Sequence, residues 1–432
     1  MVRMNPQLPA SASRHLVRQR VILAGIRPPR RPAEEVQEHL EELHRLAETA
    51  GGIVVGTFVQ ERAKPDPATV LGRGKVEEMA RASQTLKAAL VVFDEDLSPA
   101  QTRNLEQQLE RPVVDRSGLI LDIFAVRART REARVQVELA QLRYLLPRLT
   151  RRWTHLERQA GGIGVRGVGE TQLETDRRLV QRRIARLMRE LGRIEKERSL
   201  RRKRRESSLQ IALVGYTNAG KSTLLNRLTG AGTLVEDRLF ATLDPIVRQG
   251  RDGWEDFLFI DTVGFIRKLP PQLVASFRST LEEAREADIL LHVVDVSHPG
   301  FQEQMETTRQ VLSDLKLDEK PLIRVFNKAD MLPSTEARSV AARVDPEAVL
   351  VSAARGEGLD ELAARVKTIT SEDKIVRLAA IPPSAGAVIA RIHSFAQVLG
   401  SRLVDGKLQI RYRASRKDAA ALERMIAGIR EA

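Results

Sequence analysis

The sequence contains no cysteine, few aromatic residues and no long apolar run, and each absence excludes a class of protein. Without cysteine among 432 residues, disulfides, thiolate metal sites and thiol nucleophiles are excluded. Aromatic residues make up 4% of the chain, too few for a stacking platform that binds single-stranded nucleic acid. No run approaches the length of a transmembrane helix and the N-terminus has no apolar signal core. We therefore expect a cytoplasmic protein.

Positive charge, in contrast, is abundant. The 71 Lys and Arg residues outnumber the 57 Asp and Glu residues, which gives a formal net charge of +14. Such an excess favours a polyanionic partner, although composition leaves an anionic membrane surface and a solvated basic face open as alternatives. A hydrophobic fraction of 42% and a charged fraction of 30% are typical of folded globular domains. The length predicts three or four such domains.

The segment from Ile211 to Thr223 carries the strongest functional signal. An apolar run that predicts a buried strand leads into a full match to GxxxxGK[ST], and a predicted helix follows. In this context backbone N–H groups surround the β-phosphate of a nucleotide, Lys221 reaches the β- and γ-phosphates, and Ser222 ligates Mg²⁺. The predicted nucleotide contacts of this loop are Gly215, Tyr216, Thr217, Asn218, Ala219, Gly220, Lys221, Ser222 and Thr223.

Two later segments complete a predicted site for magnesium and the γ-phosphate. Asp261–Gly264 matches DxxG, in which the Asp holds Mg²⁺ through water and the Gly amide meets the γ-phosphate. Thr242 lies between the two motifs and is predicted to be the second hydroxyl ligand of Mg²⁺. The predicted metal ligands are thus Ser222, Thr242 and Asp261, and the predicted catalytic residues are Lys221, Thr242 and Gly264. Further nucleotide contacts are predicted at Phe240, Ala241, Thr242, Leu243, Asp244, Asp261, Thr262, Val263 and Gly264.

A third motif predicts selectivity for guanine. Asn327-Lys328-Ala329-Asp330 matches NKxD after a predicted buried strand. The Asp330 carboxylate would accept hydrogen bonds from N1–H and the exocyclic amine of guanine, whereas adenine offers an acceptor in place of the first donor. Such a mismatch discriminates by roughly 10⁴-fold. The next predicted strand leads into the last predicted base contacts, Ser352, Ala353 and Ala354. Motifs at the ends of successive strands predict an α/β, doubly wound P-loop domain over 208–372.

Hydrophobic patterns predict the remaining organisation of the chain. We expect a flexible tail over 1–18, an α/β domain over 19–130 and a small α+β domain over 373–432. The segment 131–207 repeats apolar residues with 4-3 spacing in two arms, which predicts a long antiparallel helical hairpin. Pro147 is expected to kink its first arm.

The hairpin carries features typical of RNA binding. Its tip, 160–169, contains five glycines and would approach a crowded surface closely, with a flexible connector as the alternative. Arginines on the second arm must face outward if the apolar residues form the seam, and such a stripe is typical of phosphate-backbone binding. The predicted RNA contacts are Gly162, Gly164, Arg166, Gly167, Arg177, Arg178 and Arg182.

One position departs from many GTPases. The residue after DxxG is often a Gln that orients the attacking water, but here it is Phe265, which neither donates nor accepts a hydrogen bond. We therefore expect slow intrinsic hydrolysis, with the water positioned by another group or by a bound partner.

The motifs together resemble a known family. The segment Gly162–Arg178, the phosphate loop, Phe240–Asp244 and Asp261–Phe265 are similar to those of the HflX GTPases, of the Obg-related, translation-factor-like superfamily. The resemblance implies association with the large (50S) ribosomal subunit and its rRNA. The motifs predict binding of GTP or GDP with Mg²⁺, and we expect a monomer in solution. The resemblance also implies stimulation by that subunit, and a role in splitting or rescuing stalled ribosomes, or in their biogenesis, under stress.

Two other functions stay open at this point. A membrane-associated mechanical GTPase would use the hairpin as an assembly stalk, but the hairpin shows no exposed apolar wedge for a bilayer. Stable membrane association is therefore not expected, whereas peripheral association stays open. An RNA-remodelling NTPase that uses ATP is disfavoured by NKxD.

Overall fold

The structure is a computed structural model that describes residues 19–149, 168–202, 209–232, 239–240, 243, 246–270, 273, 283–372 and 374–430. Within these ranges the strands form three sheets of four, six and three strands, and each sheet packs against its own helices. The predicted α/β architecture is confirmed. Among these residues, no helix is both long and apolar enough to span a bilayer.

The N-terminal domain is a four-stranded parallel sheet with helices on both faces. The strand order is β2-β1-β3-β4. Two separate apolar clusters cover the two faces, and the inner strands β1 and β3 are buried on both sides. The elements are β1 Arg20–Arg27, α1 Ala33–Thr49, β2 Ile53–Glu61, α2 Arg73–Thr85, β3 Leu90–Phe93, α3 Pro99–Leu109, β4 Val113–Asp115 and α4 Arg116–Arg127.

Helix α4 was not predicted from the sequence. Asp115 caps it, with its side chain accepting a hydrogen bond from Gly118 N. Residues 116–124 are all buried, so the apolar side chains surround the helix and show no one-sided period. A helix buried all round over most of its length therefore escapes an analysis that depends on amphipathic spacing.

The predicted hairpin is confirmed over its described part. Its arms are α5 Arg131–Leu149 and α6 Val168–Arg202. Helix α5 continues through Pro147, and the predicted seam residues beyond it, Trp153 and Leu156, lie outside the described residues. The buried seam consists of Val135, Leu139, Leu142, Val180, Leu187 and Leu191.

One arginine of the second arm differs from the outward-facing prediction. Arg183 makes a bidentate ion pair across the hairpin, with Nε and Nη2 at 2.7 and 2.8 Å from the two carboxylate oxygens of Glu138. This charge pair joins the two arms beside the apolar seam. Arg183 is therefore a structural link.

The central domain is a six-stranded sheet with the order β10-β9-β8-β5-β7-β6. All neighbouring strands run parallel except β6, an edge strand antiparallel to β7 that the sequence did not predict. The strands are β5 Leu209–Gly215, β6 Ile246–Gln249, β7 Phe257–Asp261, β8 Ile289–Asp295, β9 Leu322–Asn327 and β10 Val349–Leu350. The helices are α7 Lys221–Thr229, α8 Phe301–Asp314, α9 Ser334–Val344 and α10 Leu359–Glu372.

The C-terminal domain is a three-stranded antiparallel sheet with the order β11-β13-β12. Strands β12 and β13 form a β-hairpin about Asp405-Gly406, an Asp-Gly pair typical of such turns, and both turn residues have positive φ. Strand β11 was not predicted. The elements are β11 Lys374–Ile381, α11 Gly386–Phe395, β12 Gln397–Val404, β13 Lys407–Ser415 and α12 Arg416–Arg430.

A buried cluster of charges joins the N-terminal domain to the central domain. Arg116, 1% exposed, pairs with Glu42 and with Asp94, the latter at 2.7 Å between Nη1 and Oδ1. From the central domain, Lys268 Nζ lies 2.6 Å from Asp94 Oδ2, and the Tyr216 hydroxyl donates to Glu42. Both domains therefore contribute ionic partners to one buried network.

Replacing Glu42 by alanine tests this network. Loss of the carboxylate leaves Arg116 and Tyr216 buried without one partner each, so we expect the free energy of unfolding to fall by about 3 kcal/mol. The measurement is urea denaturation followed by far-UV circular dichroism. The matched control is Glu41→Ala on the exposed face of the same helix, for which we expect a change under about 0.5 kcal/mol. Equal losses for the two variants would contradict the role given to the network.

Candidate functional site

The loop between β5 and α7 has the backbone shape of a phosphate-binding loop. Gly215 and Gly220 have φ values of 149° and 91°. A Cβ at Gly215 would lie 2.2 Å from Val293 O, and a Cβ at Gly220 would lie 2.1 Å from Asn327 Nδ2. Only glycine fits at these two positions, so neighbouring strands fix the path of the loop.

Lys221 lies at the start of α7 with its side chain folded beneath the loop. Its Nζ donates to Tyr216 O at 2.7 Å and to Gly215 O at 3.1 Å. Burial lowers the pKa of Lys221 to about 8, and the nearby Asp261 carboxylate opposes that shift. A bound phosphate would supply the negative charge that stabilises the ammonium form.

Ser222 and Asp261 bring two oxygen ligands together beside the loop. Ser222 Oγ donates to Asp261 Oδ2 at 2.7 Å, and Asp261 is fully buried at the end of β7. Hydroxyl and carboxylate oxygens are the ligands that Mg²⁺ prefers, so this pair fits the ion. The third predicted ligand, Thr242, lies outside the described residues, as do Ala241 and Asp244.

The DxxG loop is paired directly with the phosphate loop. Phe265 N donates to Gly215 O at 3.0 Å, and Thr217 N donates to Phe265 O at 2.7 Å. A Cβ at Gly264 would lie 2.8 Å from Thr217 Cα and 3.0 Å from Lys221 Nζ, so glycine is needed for this close approach. The predicted γ-phosphate amide therefore lies against the phosphate loop.

The side chains that flank Gly264 point elsewhere. Thr262 Oγ1 donates to Leu213 O at 2.6 Å, and Val263 packs in the apolar core shared with the N-terminal domain. Phe265 is 2% exposed and lies in the core beneath α8 with Val214 and Ile260. Contacts of Thr262 and Val263 with a nucleotide are therefore limited to their backbone.

Two residues of the segment before β6 have buried side chains in the core shared with the N-terminal domain. Phe240 lies against Phe124 of the N-terminal domain, with ring centroids 4.6 Å apart, and Leu243 belongs to the same buried cluster. Both were predicted as nucleotide contacts. Their apolar side chains instead anchor this segment to α4.

The NKxD segment connects the phosphate loop to the last predicted base-contacting loop. Asn327 Nδ2 donates to Ala219 O at 2.9 Å, while Asn327 Oδ1 accepts from Ala353 N at 3.0 Å. Asn327 is 2% exposed, so its amide serves to hold the two loops in register. The Asp330 carboxylate is partly exposed beside them, with Oδ2 3.6 Å from Arg355 Nε.

Two supporting residues were missed by the sequence analysis. Arg227 on α7 donates from Nε to Ala353 O at 3.0 Å and also reaches Ala354 O, so it braces the loop that begins at Ser352. Asp295 at the end of β8 holds Lys328 Nζ at 2.7 Å. Neither has a motif of its own, although the position of Asp295 at a strand end was an available signal.

Three of the seven predicted RNA contacts lie on the second arm of the hairpin. Arg177, Arg178 and Arg182 are exposed on α6. The remaining four, Gly162, Gly164, Arg166 and Gly167, lie outside the described residues.

Comparison with protein families agrees with this geometry. Residues 37–125 match a family model described as "GTP-binding GTPase N-terminal", and residues 127–205 match "GTP-binding GTPase Middle Region". Residues 210–328, which carry the phosphate loop, DxxG and the first two residues of NKxD, match "50S ribosome-binding GTPase".

Curated relatives cover most of the chain. The GTPase HflX of Magnetococcus marinus is 45% identical over 90% of this chain and 90% of its own length. The Escherichia coli GTPase HflX is 46% identical over 82% of this chain and 84% of its own. The GTPase HflX of Alkalihalophilus pseudofirmus is 52% identical over 72% of this chain and 74% of its own length. With the phosphate loop, DxxG and NKxD assembled at one sheet edge, these identities show that the chain belongs to the HflX family of GTPases.

Proposed function

We propose that this GTPase associates with the large ribosomal subunit in its GTP-bound form and acts on stalled ribosomes or on their biogenesis under stress. The proposal depends above all on the exposed arginines of α6, a helix whose apolar seam residues are buried. It is supported by the 50S ribosome-binding description of the family model that matches the nucleotide site. Its site of action would be the cytoplasm, and the protein would act as a monomer.

In the proposed nucleotide site, the phosphate loop holds the β-phosphate through its backbone amides. Lys221 turns from the loop carbonyls to the β- and γ-phosphates, and the Gly264 amide donates to the γ-phosphate. Asp330 accepts the two donors of guanine, while Ser352–Ala354 borders the base. Asn327 keeps the phosphate and base subsites at a fixed separation through its two backbone contacts.

The residues that would hold Mg²⁺ are Ser222 and Thr242 through their hydroxyls and Asp261 through water. When bound, the ion neutralises negative charge on the β- and γ-phosphates. Because Ser222 and Asp261 already lie within hydrogen-bond distance, little rearrangement of these two side chains would be needed.

The attacking water would be positioned from outside this part of the chain. The Phe265 ring is packed in the core and carries no hydrogen-bonding group, so it does not orient water. Another group or a bound partner would supply that contact, and we expect the bound ribosome to stimulate hydrolysis.

Binding of the arms to rRNA would be coupled to the nucleotide. The γ-phosphate would order the Thr242 and Asp261 loops, and those loops would favour the ribosome-bound pose of the hairpin. Because such coupling is reciprocal, the large subunit should tighten GTP relative to GDP. Recognition would depend on RNA shape and backbone phosphates.

The ribosomal proposal is tested by sedimentation with 30S, 50S and 70S particles and with anionic liposomes, in GTP analogue and in GDP. We expect co-sedimentation with 50S particles in GTP analogue, weakened in GDP and by Lys221→Ala. Replacing Arg177, Arg178 and Arg182 by glutamine should reduce the slope of the logarithm of the binding constant against the logarithm of salt concentration by about three. The matched control neutralises Arg73, Arg338 and Arg343, which are exposed on other helices. Binding to liposomes in place of 50S particles, or equal binding without nucleotide, would refute the proposal.

Asp330→Asn tests guanine recognition. The amide loses one of the two acceptors for guanine, so we expect GTP affinity to fall at least about a hundredfold. Affinity for xanthosine triphosphate should rise, because an oxygen replaces the exocyclic amine and can accept from the new amide. Fluorescent-nucleotide displacement measures both affinities, with Asp360→Asn on the exposed face of α10 as the control. Competition by ATP as strong as that by GTP in the wild type would rule out Asp330 as a guanine reader.

Phe265→Gln tests whether the missing glutamine explains slow hydrolysis. Because this side chain is buried beneath α8, we expect the variant to be destabilised by about 2–4 kcal/mol with no gain in rate. Single-turnover phosphate release without ribosomes should be on the order of 10⁻³ s⁻¹ for the wild type. Phe265→Leu keeps an apolar side chain and serves as the control. A fast partner-free rate in the wild type, or a rise in Phe265→Gln alone, would contradict this account.

A further inference from the structure

The C-terminal sheet has one face covered by helices and one face open. Helices α11 and α12 pack on the face that carries Ala379, Ile381, Ile410 and Tyr412. The strand register places the alternate residues on the opposite face, since cross-strand partners share a face. On that open face Val376 is 41% exposed and Leu378 is 62% exposed. No described element therefore covers it.

The open face is basic across the β-hairpin. Arg413 is paired with Val376, and Arg411 is paired with Leu378 on one side and Gly400 on the other. Arg402, whose Nε donates to Gln409 Oε1 at 3.1 Å, and Lys407 lie on the same face nearer the turn. All four cations are exposed. They form a continuous surface, which we call the basic sheet face: Val376, Leu378, Arg402, Lys407, Arg411 and Arg413.

Carboxylates are almost absent from these strands. β11 contains none, and the β-hairpin contains only Asp405, which is in the turn. Among the described residues, no ion pair joins Arg411 or Arg413 to an acidic side chain. A solvated sheet face would mix charges of both signs, so this one-sided distribution indicates an anionic partner.

The surface chemistry favours the backbone of a double-stranded RNA over other anions. The aromatic residue of β13, Tyr412, is buried on the helix side, so the basic sheet face offers no ring on which a single-stranded base could stack. Leu378, Arg411 and Gly400 are neighbours across the three strands. A Cβ at Gly400 would meet no atom within 4 Å, so the surface beside Arg411 is free of covering side chains at this point. Arginine stems can lie along Val376 and Leu378 while their guanidinium groups reach outward to phosphates.

We propose that the basic sheet face is a second RNA-binding surface, which holds the phosphate backbone of duplex RNA. It is separate from the arginines of α6 and does not depend on the nucleotide-controlled association proposed above. The proposal assigns a binding role to the C-terminal domain, whose sequence carries no catalytic motif. Recognition is through charge and shape, without selection of base sequence.

The test uses the full-length protein and a short mixed-sequence RNA duplex, with binding followed by fluorescence anisotropy over a salt series. The double variant Arg411→Gln/Arg413→Gln should bind the duplex about tenfold more weakly at physiological salt, with a logarithmic salt slope smaller by about two. The control, Arg391→Gln/Arg424→Gln, removes the same charge from exposed arginines on α11 and α12. Both variants should hydrolyse GTP and unfold in urea like the wild type.

Three outcomes overturn the proposal. The first is an unchanged affinity and salt slope for Arg411→Gln/Arg413→Gln, and the second is an equal loss in the two double variants. The third is a loss of binding to polyglutamate without a loss for the duplex, which would indicate an acidic protein as the partner. The probe is duplex RNA without ribosomes. The result therefore tests the basic sheet face even if the protein does not associate with the 50S subunit.

Discussion

The pairing of the DxxG loop with two different parts of the chain is the constraint on which the arrangement of the nucleotide site depends. On one side, Phe265 exchanges backbone hydrogen bonds with Gly215 and Thr217 of the phosphate loop. On the other side, the same loop continues into Lys268, which pairs with Asp94 of the N-terminal domain. The DxxG loop, which is proposed to contact the γ-phosphate, is therefore attached both to the phosphate loop and to the N-terminal domain. A displacement of either partner would disturb the contacts of the DxxG loop with the other.

The contact between the two domains combines apolar and charged parts with different consequences. Phe124 and Phe240 supply apolar area, which is tolerant of small displacements. The charged part also includes Arg267, whose Nη2 lies 3.4 Å from Glu42 Oε1. These charges do not tolerate displacement, because a buried ion that loses its partner has no water to replace it. Burial lowers the pKa of Arg116 and of Arg267 to about 10, which still leaves both side chains charged at neutral pH. The network therefore favours one relative position of the domains.

The sequence predicted the parts of this structure whose signals are local. The phosphate loop, the two strand-end motifs and the hairpin seam each depend on residues a few positions apart, and the described residues of these segments are arranged as expected. Helix α4 was missed because residues 116–124 are buried on all sides and show no amphipathic period, and edge strands β6 and β11 were missed because they are short or weakly alternating. Phe240 and Leu243 pack against the N-terminal domain, a contact between distant segments that no local pattern reveals. The same holds for Arg227, which braces a loop more than a hundred residues away.

The contact between Gly220 and Asn327 has a consequence for how this site can change through evolution. Because the Asn327 amide occupies the space that any Cβ at position 220 would need, a mutation at that glycine moves the amide as well as the loop. The amide in turn holds Ala219 and Ala353, so one substitution disturbs recognition of the phosphates and of the base together. Substitution at Gly220 therefore does not allow phosphate recognition and base recognition to evolve separately, because both depend on the Asn327 amide.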